Sequence, residues 1–225
     1  MNLNFVKPYR FRVLLGILLF SFAIVPFFET RLFMDLMATV LLIFGLSTIS
    51  DSRRQLIACS LVAFLVIAAI WLDRVFPGKQ LIIEANGLDI LFLALVIFAI
   101  LANVFRSREI TTESLAGAIC AYLLIGILWA DAFSILETVH PGSFSSVHTA
   151  SDAATTAQSA RLQVARFSYF SFVTLSTLGY GDITPLTRPA RNLAALEAIF
   201  GQLYLAVLIA RLVSQQGTTN LKSGG

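Results

Sequence analysis

The stretch Thr174-Leu175-Ser176-Thr177-Leu178-Gly179-Tyr180-Gly181-Asp182 decides how this chain is read. Gly179 and Gly181 stand one residue apart, and glycine reaches backbone angles that other residues disfavour. A lone Gly-x-Gly is a weak signal; its setting strengthens it. It follows a short aromatic and hydroxyl-bearing segment, Arg166–Thr177, and precedes an apolar run, Asn192–Ala210. A helix over 166–177 is about 18 Å long and cannot cross a hydrocarbon core of about 30 Å. If the chain lies in a membrane, this segment enters and returns. Irregular backbone at that depth is tolerated only inside protein or along a watery cavity, which implies a pore or a transport site.

The composition places the chain in a membrane. Of 225 residues, 57% are hydrophobic and only 13% charged, about half the charged share of soluble domains, which excludes a soluble globular enzyme. Five long apolar runs precede the last one: Phe11–Phe28, Leu32–Ser50, Gln55–Leu72, Leu88–Phe105 and Ser114–Leu136. The first is too long for the apolar core of a signal peptide and ends in Phe-Phe-Glu-Thr without a cleavage site, so it reads as a span. Val139–Gln163, rich in Ser, Thr and Ala, reads as an exposed loop. Lys7, Arg10, Arg12, Arg53, Arg54, Arg106 and Arg108 fall on one side; only Arg31, Arg74 and Lys79 fall on the other. The first side is therefore cytoplasmic, as are both termini of a six-span chain. The net charge of +3 clusters at the ends of apolar runs, the pattern of membrane flanks rather than of a nucleic-acid face. Cys59 and Cys120 lie within apolar runs and read as free, buried thiols. After Arg211 only a short tail is left, with no room for a folded cytosolic domain.

Thr177-Leu178-Gly179-Tyr180-Gly181 resembles the selectivity filter of the tetrameric potassium channels, whose Thr-Val-Gly-Tyr-Gly run lines the pore in four copies. Leu178 stands where the family usually has Val. The resemblance implies that backbone carbonyls of Thr177, Leu178, Gly179, Tyr180 and Gly181, with the Thr177 hydroxyl, replace the water shell of a dehydrated K⁺. It also implies that Tyr180 wedges against the pore helix and that Leu178 packs behind the filter. Arg166–Ser176 becomes the pore helix, whose C-terminal dipole favours a cation. Tyr169 and Phe170 match the aromatic pair that braces the filter, and Val173 replaces the acid some relatives carry there. Asp182 matches the acid just outside, with a Tyr169–Asp182 hydrogen bond expected. Gly201, 24 residues after Thr177, matches a hinge glycine of the pore-lining helix; close packing of a small residue against the fifth helix explains it equally well. Gln202, Leu205, Ile209 and Val213 then line the cavity, with Ile209 and Val213 as an apolar gate.

Acidic residues inside apolar runs need an explanation, because an ionised carboxylate there costs about 3 kcal/mol or more. Glu197 reads either as a protonated or hydrogen-bonded acid behind the filter, near Ser171 or Thr174, or as an outer-end residue at interfacial water. Asp131, Asp35 and Asp89 read as outer-end residues solvated at the interface, Trp129 as packing or an interfacial anchor, and His140 and His148 as exposed loop residues. Between Leu88 and Phe105 there is no basic residue. Steep voltage gating needs three or four such charges, so the fourth span is not a voltage sensor.

The sequence therefore predicts an all-α membrane protein with six transmembrane helices, a re-entrant pore helix and a filter loop, assembling as a homotetramer. Its parts are a four-helix unit over 1–112, a pore domain over 113–213 and a tail over 214–225. The expected partners are K⁺ and membrane lipid, without cofactor or nucleic acid. The expected location is the plasma membrane, the inner membrane of a prokaryote, with several crossings. No nucleophile with a base, metal cluster or nucleotide loop marks an enzyme. The alternatives are a non-selective cation channel, against which Tyr180 argues, a potassium-uptake transporter subunit, against which the single pore loop argues, and a non-conducting sensor.

Overall fold

The computed structural model describes residues 9–24, 27, 31–47, 53–75, 79–106, 111–146 and 156–223. Lys7, Arg108 and His148 lie outside them. Seven helices and two short strands follow one another: α1 (Arg10–Ile24), α2 (Arg31–Ser47), α3 (Arg53–Val75), α4 (Lys79–Arg106), α5 (Thr112–Val139), β1 (Phe144–Ser146), α6 (Thr156–Leu175), β2 (Ile183–Pro185) and α7 (Arg188–Ser223).

Helix ends follow local chemistry. At α5, Thr111 and Ser114 form a reciprocal capping box, each side chain accepting from the other residue's backbone amide. At α7, Thr187 Oγ1 accepts from the Ala190 amide and Pro189 sits in the first turn, where its missing N–H does no harm.

Among the described residues, three stretches are long and apolar enough to cross a membrane: Ile83–Arg106, Thr112–Val139 and Arg188–Ser214; Asp35–Leu46 and Cys59–Leu72 are shorter apolar stretches. The α1 helix has 15 residues, about 22 Å. These helices are apolar on their outer faces as well as inside: Leu19, Phe20, Phe64, Phe98 and Phe105 are exposed. Helices apolar all round belong in lipid or deep in a core.

The inward stripes recur at helical spacing, with Phe11, Leu14 and Leu18 on α1, Cys59, Ala63 and Val66 on α3, and Phe92, Val96, Ile100 and Val104 on α4. The α3 stripe packs on α4, and those of α1 and α4 meet on α5, which buries small residues such as Ala116, Ala118 and Ala121 and touches α1, α4, α6 and α7. Small residues let backbones approach where lipid offers no hydrophobic drive. Both cysteines are free and buried. The N-terminal end of α1 is tied to that of α5: the Phe11 amide donates to Glu113 Oε1 at 2.6 Å, and Arg12 pairs with Glu113 at 3.4 Å.

Three expectations change. The helix before the filter starts at Thr156, not Arg166, and ends at Leu175; the expected loop over Val139–Gln163 therefore loses its C-terminal part to it. At 20 residues, α6 is about 30 Å long, so length alone does not forbid a crossing. Its first half carries the polar Thr156, Gln158, Ser159, Arg161 and Gln163, and it is not among the described stretches apolar enough to cross. Nor was the antiparallel pair β1–β2 foreseen, in which Phe144 faces Pro185, Ser145 faces Thr184 and Ser146 faces Ile183. Finally, Asp89 and Asp131 are not solvated separately at an interface. They hydrogen-bond to each other across α4 and α5, one turn from an Asn86–Ser134 contact of 3.0 Å.

Candidate ion pathway

The C-terminal end of α6 carries the site. Its last turns leave carbonyls without helical partners, and the chain folds back onto them. The Thr177 amide donates to the Thr174 carbonyl at 2.9 Å, and the Leu178 and Gly179 amides donate to the Val173 carbonyl at 2.9 and 3.3 Å. Within a planar trans peptide, N–H and C=O point opposite ways. The carbonyls sharing those peptides, of Ser176, Thr177 and Leu178, therefore face away from the helix end. The carbonyls of residues 177–181 accept no hydrogen bond from a described residue.

The backbone angles complete the pattern. φ is positive at Thr177 (58°), Gly179 (58°) and Gly181 (79°), and at neither Leu178 nor Tyr180. A strand with uniform angles alternates its carbonyls from side to side; alternating handedness gathers amides on one side and carbonyls on the other. The glycines adopt this conformation freely. Thr177 does so at a cost of about 1–3 kcal/mol, and its side chain is pinned: Oγ1 donates to the Ser176 carbonyl at 2.7 Å and accepts from Gln202 Nε2 at 3.3 Å. That engagement was not anticipated for a hydroxyl expected to face the ion.

The remaining expected residues fall around this loop. Tyr169 and Phe170 diverge rather than acting as a pair. Phe170 packs with Phe133 and Phe144 at ring distances of 5.0 and 5.3 Å, whereas the Tyr169 hydroxyl is turned toward Asp182. Val173 is buried, and its carbonyl holds the two amides described above. Leu178 and Tyr180 are 55% and 66% exposed, so neither has the packing expected of it within the chain. Glu197 is fully buried, which excludes its reading as a residue at interfacial water, and its Oε1 meets Ser171 Oγ. Asp35 has its backbone carbonyl bonded by Thr39 Oγ1 at 2.7 Å, Trp129 packs against Phe133 and Phe200, and His140 is exposed beyond the end of α5.

On α7, a Cβ placed on Gly201 would lie 2.3 Å from the Leu175 carbonyl oxygen. Close packing does require this glycine, but its partner is the end of α6, not the fifth helix. Gln202, Ile209 and Val213 are exposed and Leu205 is half-buried, on one helical face that also carries the Gln202 link to the loop.

Several supporting residues gave no signal in the sequence. Tyr122 donates to the Leu175 carbonyl at 3.4 Å and stacks near Tyr204, whose hydroxyl donates to the Ala118 carbonyl at 2.5 Å; two ordinary tyrosines in apolar runs do not advertise a clasp between α5 and α7. Outside the filter, Glu137 accepts from the Gly142 and Phe144 amides at 3.1 and 3.2 Å, and the Leu186 amide donates to the Ser143 carbonyl at 2.8 Å. Arg166 holds the Phe144 carbonyl at 3.1 Å. These contacts fasten the exit of the loop to the end of α5.

No curated protein and no solved structure matches the chain significantly. Residues 123–215, from within α5 through α6 and the carbonyl-lined loop into α7, match the model of the family described as "Ion channel".

Proposed function

We propose that four copies of this chain surround a potassium-selective pore, with the carbonyls of Thr177, Leu178, Gly179, Tyr180 and Gly181 replacing the hydration shell of K⁺. The observation that carries this reading is the alternation of positive φ at 177, 179 and 181, combined with amides anchored on the Val173 and Thr174 carbonyls. One chain supplies one wall of carbonyls. A bare monovalent ion needs a closed ring, and a fourfold axis provides it. The exposed Leu178 and Tyr180 then find their packing in a neighbouring subunit.

The helix dipole of α6 ends at the base of the loop and favours a cation there. Gln202, Leu205, Ile209 and Val213 line the cavity below, with Ile209 and Val213 as the apolar constriction. In this reading α1 to α5 and α7 cross the plasma membrane, both termini are cytoplasmic, and the protein belongs to a prokaryotic inner membrane. The core stripe of α4 is apolar throughout, Phe92, Val96, Ile100 and Val104, so steep voltage gating is not part of the proposal.

The test is the reversal potential of purified, reconstituted protein in opposed K⁺ and Na⁺ gradients. A reversal potential near that of K⁺ is expected. Equal passage of Na⁺ assigns the protein to non-selective cation channels, and absence of current leaves a non-conducting sensor.

A further inference from the structure

Ser171 sits on the face of α6 turned to α5 and α7, and its hydroxyl holds together three helices. Ser171 Oγ lies 2.6 Å from the Gly126 carbonyl oxygen on α5 and 2.5 Å from Glu197 Oε1 on α7. Both separations are of hydrogen-bond length, and each such bond needs one proton. The Gly126 carbonyl can only accept, and serine has a single hydroxyl proton. An ionised Glu197 also only accepts. With Ser171 turned toward it, the Ser171 and Gly126 oxygens would face one another lone pair to lone pair at 2.6 Å. The contacts balance when Ser171 donates to Gly126 and Glu197 supplies the second proton.

The surroundings favour the same count. Glu197 is 0% exposed, and its other oxygen, Oε2, is buried without a hydrogen-bond partner. Among the described residues the ion pair is Arg12–Glu113, and no Lys or Arg pairs with Glu197. A carboxylate has about four acceptor positions to satisfy and a neutral acid fewer; an unpartnered carbonyl oxygen is far more tolerable in a buried site than an unpartnered charge. The close approach is built in. A Cβ on Gly126 would stand 2.6 Å from the Phe172 ring, so any side chain there would have to displace that ring while α6 stays near enough for Ser171 to reach the α5 backbone.

We propose that Glu197 is held as a neutral carboxylic acid and acts as a positioning residue, donating its proton in a hydrogen bond to Ser171 Oγ while the Ser171 hydroxyl donates to Gly126, which locks α6 against α5 and α7. Ser171 lies two residues before Val173, whose carbonyl anchors the Leu178 and Gly179 amides. Fixing the rotation of α6 at Ser171 fixes where that carbonyl points, and so the line of the pore loop. The link to ion selection rests on the pore reading above; the protonation state does not.

The experiment combines infrared spectroscopy of the purified full chain with flux and thermal midpoint for Glu197→Gln, Glu197→Ala and Glu197→Asp. Glu197→Gln, which keeps shape and a donor, is expected to abolish a protonated-carboxyl C=O band and to restore the midpoint and K⁺ preference that Glu197→Ala loses. Asp131→Asn, measured in parallel, identifies any band from the Asp89–Asp131 pair. An unchanged protonated-carboxyl spectrum in Glu197→Gln overturns the proposal. So does a Glu197→Gln that behaves like the alanine variant while Glu197→Asp behaves like the parent, because that pattern requires charge. A parent protein that shows the band but fails to distinguish K⁺ from Na⁺ overturns the pore reading alone.

Discussion

At the scale of single residues, Thr177 and Gly201 show how differently two positions can be written in a sequence. Gly179 and Gly181 announced their backbone angles, since glycine is the default residue where φ is positive. Thr177 shares that conformation with φ of 58° but is β-branched, and its amide on Thr174 and its hydroxyl between Ser176 and Gln202 hold it there. The Gln202 bond depends on an element 25 residues away, which no local pattern reveals. Gly201 was legible as special but not as to its reason. A methyl group there meets backbone, the Leu175 carbonyl, which cannot rotate aside. Gly201→Ala is expected to lower stability by about 1–3 kcal/mol, the usual range for overpacking, read as a lower thermal midpoint of the purified protein. A pure hinge would leave the midpoint unchanged. Tyr169→Phe removes the hydroxyl that faces Asp182 and keeps the ring. It is expected to speed the loss of current during sustained conduction, with unchanged folding by circular dichroism.

At the scale of elements, apolar runs located the long helices well and the boundaries poorly. The α4 helix begins at Lys79, nine residues before its apolar run, because polar residues such as Gln80 and Glu84 extend a helix without any hydropathy signal. The α6 helix was found ten residues short for the same reason. Pairings between helices were hidden entirely. Asp89 and Asp131 lie 42 positions apart in sequence, and each alone looks like a residue near a membrane surface. Their mutual hydrogen bond requires a proton between them, since two carboxylates offer only acceptors. Asp131→Asn supplies its own donor and is expected to change the thermal midpoint little. Asp131→Leu leaves Asp89 buried without its partner and is expected to destabilise by about 3 kcal/mol or more. Equal midpoints for the two variants would show that the pair does not hold α4 to α5.

At the scale of the whole molecule, the connection between α4 and α5 is the informative feature. Only residues 107–111 join Arg106 to Thr112, a reach of at most about 18 Å. The chain therefore packs α4 against its own α5. Cysteines at Asn86 and Ser134, whose side chains meet at 3.0 Å, are expected to form a disulfide that leaves the denatured protein at monomer mass on a non-reducing gel. Bands at dimer or higher mass would indicate exchange of the units between subunits.

The amide of Gln202 at the foot of the carbonyl-lined loop has a mechanical consequence. Its bond to Thr177 Oγ1 couples the start of that loop to α7. Turning that helix by one position, about 100°, withdraws the amide and replaces it with an isobutyl group, Leu203. In the pore proposed above, any twist of α7 is thus felt at the loop, and the two ends of the conduit open and close as one throttle.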